Sequence, residues 1–116
     1  MTLQDKRILL VEDEIIIGFA LDDMLSGEGA RTTLASSKAD AEQALGETRF
    51  DMAIIDVNLH GDVSYPLADM LADRGCPFIF ATGYGSVTHP PRFAGVPTVN
   101  KPYDLTAILR ALEAIG

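Results

Sequence analysis

A chain of 116 residues, 47% of them hydrophobic and 22% charged, has the material for one folded domain around one core. Its net charge of −8, from 17 acidic and 9 basic residues, repels phosphate backbones, and no Lys/Arg cluster offsets it, so nucleic acid is not an expected partner. No apolar run approaches the roughly 20 residues needed to span a bilayer, the N-terminus lacks the form of a signal peptide, and a lone Cys76 excludes an internal disulfide and fits a reducing, cytoplasmic setting without a membrane partner.

Short apolar runs alternate with amphipathic stretches. Ile8-Leu9-Leu10-Val11 suits a strand covered on both faces. Over residues 14–26, Ile15, Ile16, Phe19, Ala20, Met24 and Leu25 recur at helical spacing, with Asp22 and Asp23 on the other side, and Gly27 and Gly29 end the helix. Ala30 to Leu34 reads as the second strand. Ser36 or Ser37 then caps a helix over 37–47 that turns Ala41, Ala44 and Leu45 inward. Met52-Ala53-Ile54-Ile55 is the third strand, and Tyr65 to Asp73 a shorter helix with Pro66 in its first turn and Gly75 beyond its end. Phe78 to Ala81 and Pro97 to Asn100 complete the strands. Asp104 caps a last helix over 104–114 with Leu105, Ile108, Leu109, Leu112 and Ile115 on one stripe. Between the fourth and fifth strands, Gly83, Gly85, Pro90, Pro91, Gly95 and Pro97 interrupt residues 83–97, so a fourth helix there is expected to be short or disordered. The expected fold is a doubly wound α/β domain: five parallel strands in the order 2-1-3-4-5, flavodoxin-like, spanning 1–116 as a single domain without an output domain.

Polar residues follow the apolar runs in a consistent way. Glu12 and Asp13 succeed Val11, Asp56 succeeds Ile55, Thr82 succeeds Ala81 and Lys101 succeeds Asn100. In a parallel sheet these positions share the C-terminal edge, where open α/β folds place ligand sites. The order 2-1-3-4-5 makes the first and third strands neighbours and brings Glu12, Asp13 and Asp56 together. A pair of unit charges 4 Å apart repels by about 4 kcal/mol at an effective dielectric of 20, so the cluster calls for a cation; all-oxygen donors suit a hard ion such as Mg²⁺. Asp56 is then a nucleophilic carboxylate, ionised at neutral pH and able to form an acyl phosphate. Lys101 and the ion neutralise the transferring oxygens, and Thr82 donates a hydrogen bond to one of them. Taken singly, the acids read as a helix N-terminus, Asp56 as a turn residue, Thr82 as a cap and Lys101 as a surface amine. Those readings do not account for all of them standing one step past buried strands.

With these residues in place, the chain resembles the receiver domain of response regulators along essentially its whole length. The matching elements are Ile8 to Glu14, Ile54-Ile55-Asp56-Val57-Asn58-Leu59, Ala81-Thr82-Gly83 and Lys101-Pro102. The resemblance implies Asp56 as phosphoacceptor, Asp13, Asp56 and the backbone carbonyl of Asn58 as Mg²⁺ ligands, Glu12 acting on the metal through water, and a cis Lys101–Pro102 bond. Pro77 to Tyr84 also resembles the stand-alone receivers named for a Phe-Ala-Thr-Gly-aromatic run (FATGUY). Two positions depart from the family pattern: Thr98, three before the lysine, where an aromatic is usual, and His60, four after Asp56, where proline is common. Tyr84 is expected to replace the missing switch aromatic at Thr98. His60 and His89 read as loop residues.

The implied function is a single-domain response regulator that takes a phosphoryl group from a sensor histidine kinase or phosphotransfer protein and acts on a downstream protein, passes the group onward or serves as a phosphate sink. It is a switch that assists its own phosphorylation and dephosphorylation rather than an enzyme. Two other classes fit less well. A small phosphohydrolase with an aspartyl-phosphate intermediate would carry Asp-x-Asp after the first strand, where this chain has Glu12-Asp13; a flavodoxin-like nucleotide binder would need a Gly/Ser/Thr-rich loop there.

Overall fold

The computed structural model describes residues 3–83 and 89–116. Four short strands form where expected: the largely apolar β1 (Arg7–Val11), β3 (Met52–Asp56) and β6 (Phe78–Thr82) and the half-exposed β2 (Arg31–Ala35), with β7 (Thr98–Asn100) closing the sheet. They pair in parallel in the order β2-β1-β3-β6-β7, which is the predicted order of the five long strands. The numbering runs to seven because a two-residue ladder, β4 (Asn58–Leu59) with β5 (Asp62–Val63), lies outside the main sheet and has no counterpart in the sequence reading. Its turn residues, His60 and Gly61, both have positive φ, 52° and 87°, the backbone that a tight two-residue hairpin demands.

Alternation along the strands builds two apolar layers. Leu9, Val11, Ala53, Ile55 and Phe80 face one side with Ala41 and Leu45 of α2 (Lys38–Glu47) and Leu67, Ala68 and Leu71 of α3 (Tyr65–Asp73). Ile8, Leu10, Ile54 and Ile79 face the other, against Leu21 and Leu25 of α1 (Ile15–Ser26) and Ile108 and Leu112 of α4 (Leu105–Ile115). Burying each large side chain contributes about 1.5–3 kcal/mol. Ser37 caps α2 by accepting the Asp40 amide, and Asp104 caps α4 by accepting the Ala107 amide. In the interrupted segment, the described residues hold a 3₁₀ turn, Pro91–Phe93, and no α-helix.

The face of α1 differs from expectation. Ile15, Ile16 and Phe19 are exposed, Ile16 by 80%, while Gly18, Leu21 and Leu25 are buried. Helical spacing alone offers two apolar stripes here, and packing selects the one that carries Gly18. A Cβ at Gly18 would stand 3.0 Å from a Leu34 methyl and 3.6 Å from the Glu12 Cβ, so glycine lets α1 close down on the sheet beside the acids. Gly27 keeps helical φ, and Gly29 makes the left-handed turn, with φ 89°. Two substitutions check this assignment by urea unfolding. Leu21→Ala is expected to cost about 2–5 kcal/mol, and Ile16→Gln less than about 0.5 kcal/mol; the reverse ranking would restore the other stripe.

Candidate functional site

The parallel register carries the polar residues to one edge. Val11 pairs with Ile55, Asp56 with Ala81 and Thr82 with Asn100, so the chain following β1, the tip of β3, the tip of β6 and the start of the segment after β7 converge. Glu12, Asp13 and Asp56 each bring a carboxylate oxygen within 4.8 Å of the others. Glu12 and Asp56 are buried, and Asp13 is half-buried at the mouth. Lys101 reaches in from the far side: its Nζ lies 2.7 Å from Asp56 Oδ2 and 2.8 Å from Glu12 Oε1. The peptide that follows it, Lys101–Pro102, is cis.

Neighbouring backbone fixes the carboxylates. The Asn58 amide donates to Asp56 Oδ1 at 3.3 Å, the His60 amide to Asp13 Oδ2 at 2.9 Å and the Glu14 amide to Glu12 Oε2 at 3.1 Å. The His60 ring also bonds the Ser36 carbonyl at 3.0 Å, tying the β4–β5 turn to the chain after β2. His60 is therefore more than a loop residue: its amide is a donor that proline at this position would lack. Thr82 is buried at the end of β6, and its carbonyl accepts the Lys101 amide at 2.8 Å. Tyr84 lies outside the described residues.

Two further side chains belong to the neighbourhood and escape the sequence reading. Tyr103, buried two residues past Lys101, donates its hydroxyl to Glu12 Oε1 at 3.1 Å. Only its place after Lys101-Pro102 hinted at this; by pattern it is one more apolar residue before α4. His89 packs its ring on Phe80, centroids 4.4 Å apart, and bonds the Tyr65 hydroxyl at 2.9 Å and the Thr98 hydroxyl at 2.7 Å. Thr98 thus meets an imidazole from the interrupted segment where the family pattern has an aromatic of its own.

Burial and crowding set the charge states. Burial raises the Asp56 carboxyl; the Lys101 ammonium pulls it down, Glu12 pushes it up again, and the result is about 7. In the cation-free chain the Asp56 carboxyl is thus held above its ordinary value by burial and by Glu12, and positive charge brought beside it favours the ionised form. Burial also works against charge on Asp13, but the His60 amide and hydrogen bonding with Glu12 and Asp56 outweigh it and the carboxyl falls below its ordinary value. Lys101 loses charge stability to burial and more than regains it from Asp56 and Glu12. The donors fit a hard divalent cation: carboxylates only, two of them buried and mutually repelling, with Asp13 open to solvent. By contrast, a cavity of about 520 Å³ lined by Phe50, Asp51, Arg74, Cys76 and Pro77 sits at the opposite edge of the sheet. Its cysteine is buried, and burial with nearby Asp51 pushes the thiol up to about 11, so it is no nucleophile.

A linkage prediction follows. Because Asp56 titrates near 7 when folded and near 3.8 ordinarily, the native chain keeps a proton that the unfolded chain releases, and metal-free stability falls as pH rises through that interval. Asp56→Asn removes the penalty. Urea unfolding in chelator should find it more stable than wild type by on the order of 2 kcal/mol at pH 8, with the gain shrinking toward pH 4; a gain independent of pH would contradict the assignment.

Comparison with known proteins agrees with this architecture. The model of the response regulator receiver domain matches residues 8–113. The solution structure of SdrG from Sphingomonas melonis Fr1 superposes with a TM-score of 0.84 at 35% identity, covering 99% of this chain and 98% of that one. The BeF3-activated conformation of SdrG, from Pseudomonas melonis Fr1, gives 0.80 at 36% identity over 93% of both. Among curated proteins, the Regulator of RpoS of Escherichia coli K12 is 36% identical over 73 residues, 63% of this chain but only 22% of that protein. The matched stretch spans about a fifth of that relative. On the family model, the sheet order and the acid cluster together, this chain belongs to the response regulator receiver domain family.

Proposed function

We propose that the protein is a response regulator of a two-component phosphorelay that accepts a phosphoryl group on Asp56 from the phosphohistidine of a sensor kinase or phosphotransfer protein. The observation that carries this is the contact of Lys101 Nζ with Asp56 Oδ2 at 2.7 Å beside two further carboxylates. An ordinary ion pair would not gather three acids around one amine. In transfer, the donor P–N bond breaks as an Asp56 oxygen bonds phosphorus, and the leaving imidazole nitrogen takes up a proton. Asp13, Asp56 and the Asn58 carbonyl would hold Mg²⁺, with Glu12 acting through water. When bound, that ion supplies positive charge to the carboxylates and to the phosphoryl oxygens.

The chain's own residues do the rest. Lys101 neutralises charge on the transferring oxygens, and Thr82 donates to one of them. A phosphoryl group adds about −1.5 to −2 charges, drawing Lys101 and Thr82 toward it and biasing the segment after β6 toward a new arrangement. Tyr84, carried on that segment, is the candidate switch aromatic in place of Thr98. No α-helix of the described residues is long and apolar enough to cross a membrane, in keeping with a cytoplasmic role. Output by protein contact, by onward transfer or as a phosphate sink is compatible with the same site.

Intact-mass measurement after treatment with acetyl phosphate and Mg²⁺ tests the assignment. One added phosphoryl group is expected on wild type and none on Asp56→Asn or in chelator; label retained by Asp56→Asn would move the acceptor elsewhere. Hydrogen exchange supplies a second test. Amides of residues 83–97 should slow on phosphorylation, and unchanged protection there would remove Tyr84 from the switch.

A further inference from the structure

Glu12 is fully buried, and a buried carboxylate must have its oxygens satisfied by donors. Lys101 Nζ donates to Oε2 at 3.1 Å and stands 2.8 Å from Oε1 as an ion pair. The Glu14 amide gives Oε2 a second hydrogen bond and the Tyr103 hydroxyl gives Oε1 its own, each at 3.1 Å. The same ammonium also holds Asp56. The ammonium is therefore divided between the two buried carboxylates.

A phosphoryl group on Asp56 needs that ammonium for its own oxygens, and part of the hold on Glu12 must then be given up. A buried carboxylate deprived of donors is costly. Tyr103 is built to remain: its ring is packed in the layer shared with Ile8, Leu10 and Ile108, and its hydroxyl donates to Glu12 Oε1 from that fixed place. Phenylalanine would fill the same space and leave Glu12 Oε1 to Lys101 alone.

We propose that Tyr103 is a positioning residue that keeps Glu12 satisfied while Lys101 turns from it to the phosphoryl group on Asp56. The role rests on the phosphoacceptor reading above. It places the main effect of Tyr103 on the phosphoryl-bound state, because the phenol bonds Glu12, which would act on the cation only through water, and not Asp13 or Asp56, which would hold it directly.

The test compares the full chain with Tyr103→Phe, using Mg²⁺ alone and then beryllofluoride at saturating Mg²⁺ as the phosphoryl probe, both by titration calorimetry. Beryllofluoride affinity should fall about fivefold to tenfold while Mg²⁺ affinity stays within about twofold. Equal beryllofluoride affinity in the two proteins overturns the proposal, as does a parallel loss of both affinities, the mark of general distortion. A wild type that binds Mg²⁺ but no beryllofluoride overturns the phosphoacceptor reading and this role with it. A second measurement needs no variant: with tyrosine labelled at Cζ, the Tyr103 resonance should keep its carboxylate-bonded position on adding Mg²⁺ and beryllofluoride. Movement to the position of an unbonded phenol would refute the role.

Discussion

One ammonium against three carboxylates is the constraint on which the structure depends. Lys101 is shared between Asp56 and Glu12, both buried, with Asp13 close by. Each like-charge contact at about 4 Å costs several kcal/mol at an intermediate dielectric, and burying an ion pair recovers little of its desolvation cost. The cluster is therefore a net burden on stability, and burial with Glu12 nearby raises the Asp56 carboxyl above its ordinary value. Two apolar layers carry that burden. The sheet is covered on both faces, and Ile8, Leu9, Leu10, Ile55, Ile79 and Phe80 are each wholly removed from water.

The same sheet explains why the burden falls where it does. Parallel strands end together, and the reversal of strand order at β1 and β3, with β2 added on one side and β6 on the other, opens a crevice at their tips. Hydrogen bonds from short pieces of backbone then orient what the strands deliver: the Glu14 amide on Glu12, the His60 amide on Asp13 and the Asn58 amide on Asp56. Gly18 lets α1 press against this edge from the side. Beside the site, the His60-Gly61 turn holds a non-glycine residue at positive φ.

How far the sequence discloses this depends on the range of the interaction. Continuous apolar runs such as Ile8-Leu9-Leu10-Val11 can only be strands covered on both faces, and the polar residue after each run then belongs to a common edge; fold and acid cluster follow from those two local facts. The α1 face does not follow, because Ile15, Ile16 and Phe19 satisfy the helical period as well as Leu21 and Leu25 do, and only close packing at Gly18 selects between them. Tyr103 is hidden for a similar reason: a tyrosine ahead of a helix reads as core until Glu12, far away in sequence, is seen to need a donor. The charge state of Asp56 is hidden further still. It depends on burial and on Glu12, quantities that exist only after folding.

His89 gives the site a short mechanical reach to the surface. β6 ends at Thr82, whose carbonyl is held by the Lys101 amide; a few residues on, the His89 ring is held by Tyr65 of α3 and Thr98 of β7 and lies against Phe80. Burial lowers the imidazole pKa, favouring a neutral ring with one donor and one acceptor, and two hydroxyls can satisfy either tautomer. Phe93, stacked on Tyr65, and Arg92, paired with Asp69 at 2.8 Å, extend the attachment along α3. Thr82 at the acid cluster and His89 at the junction of α3 and β7 are thus both held by side-chain or backbone partners. A ring with two hydrogen bonds and a packed partner has few alternative positions, because neighbouring side chains must move with it. This is the physical sense in which a residue that reads as loop in the sequence can stand in the path between site and surface.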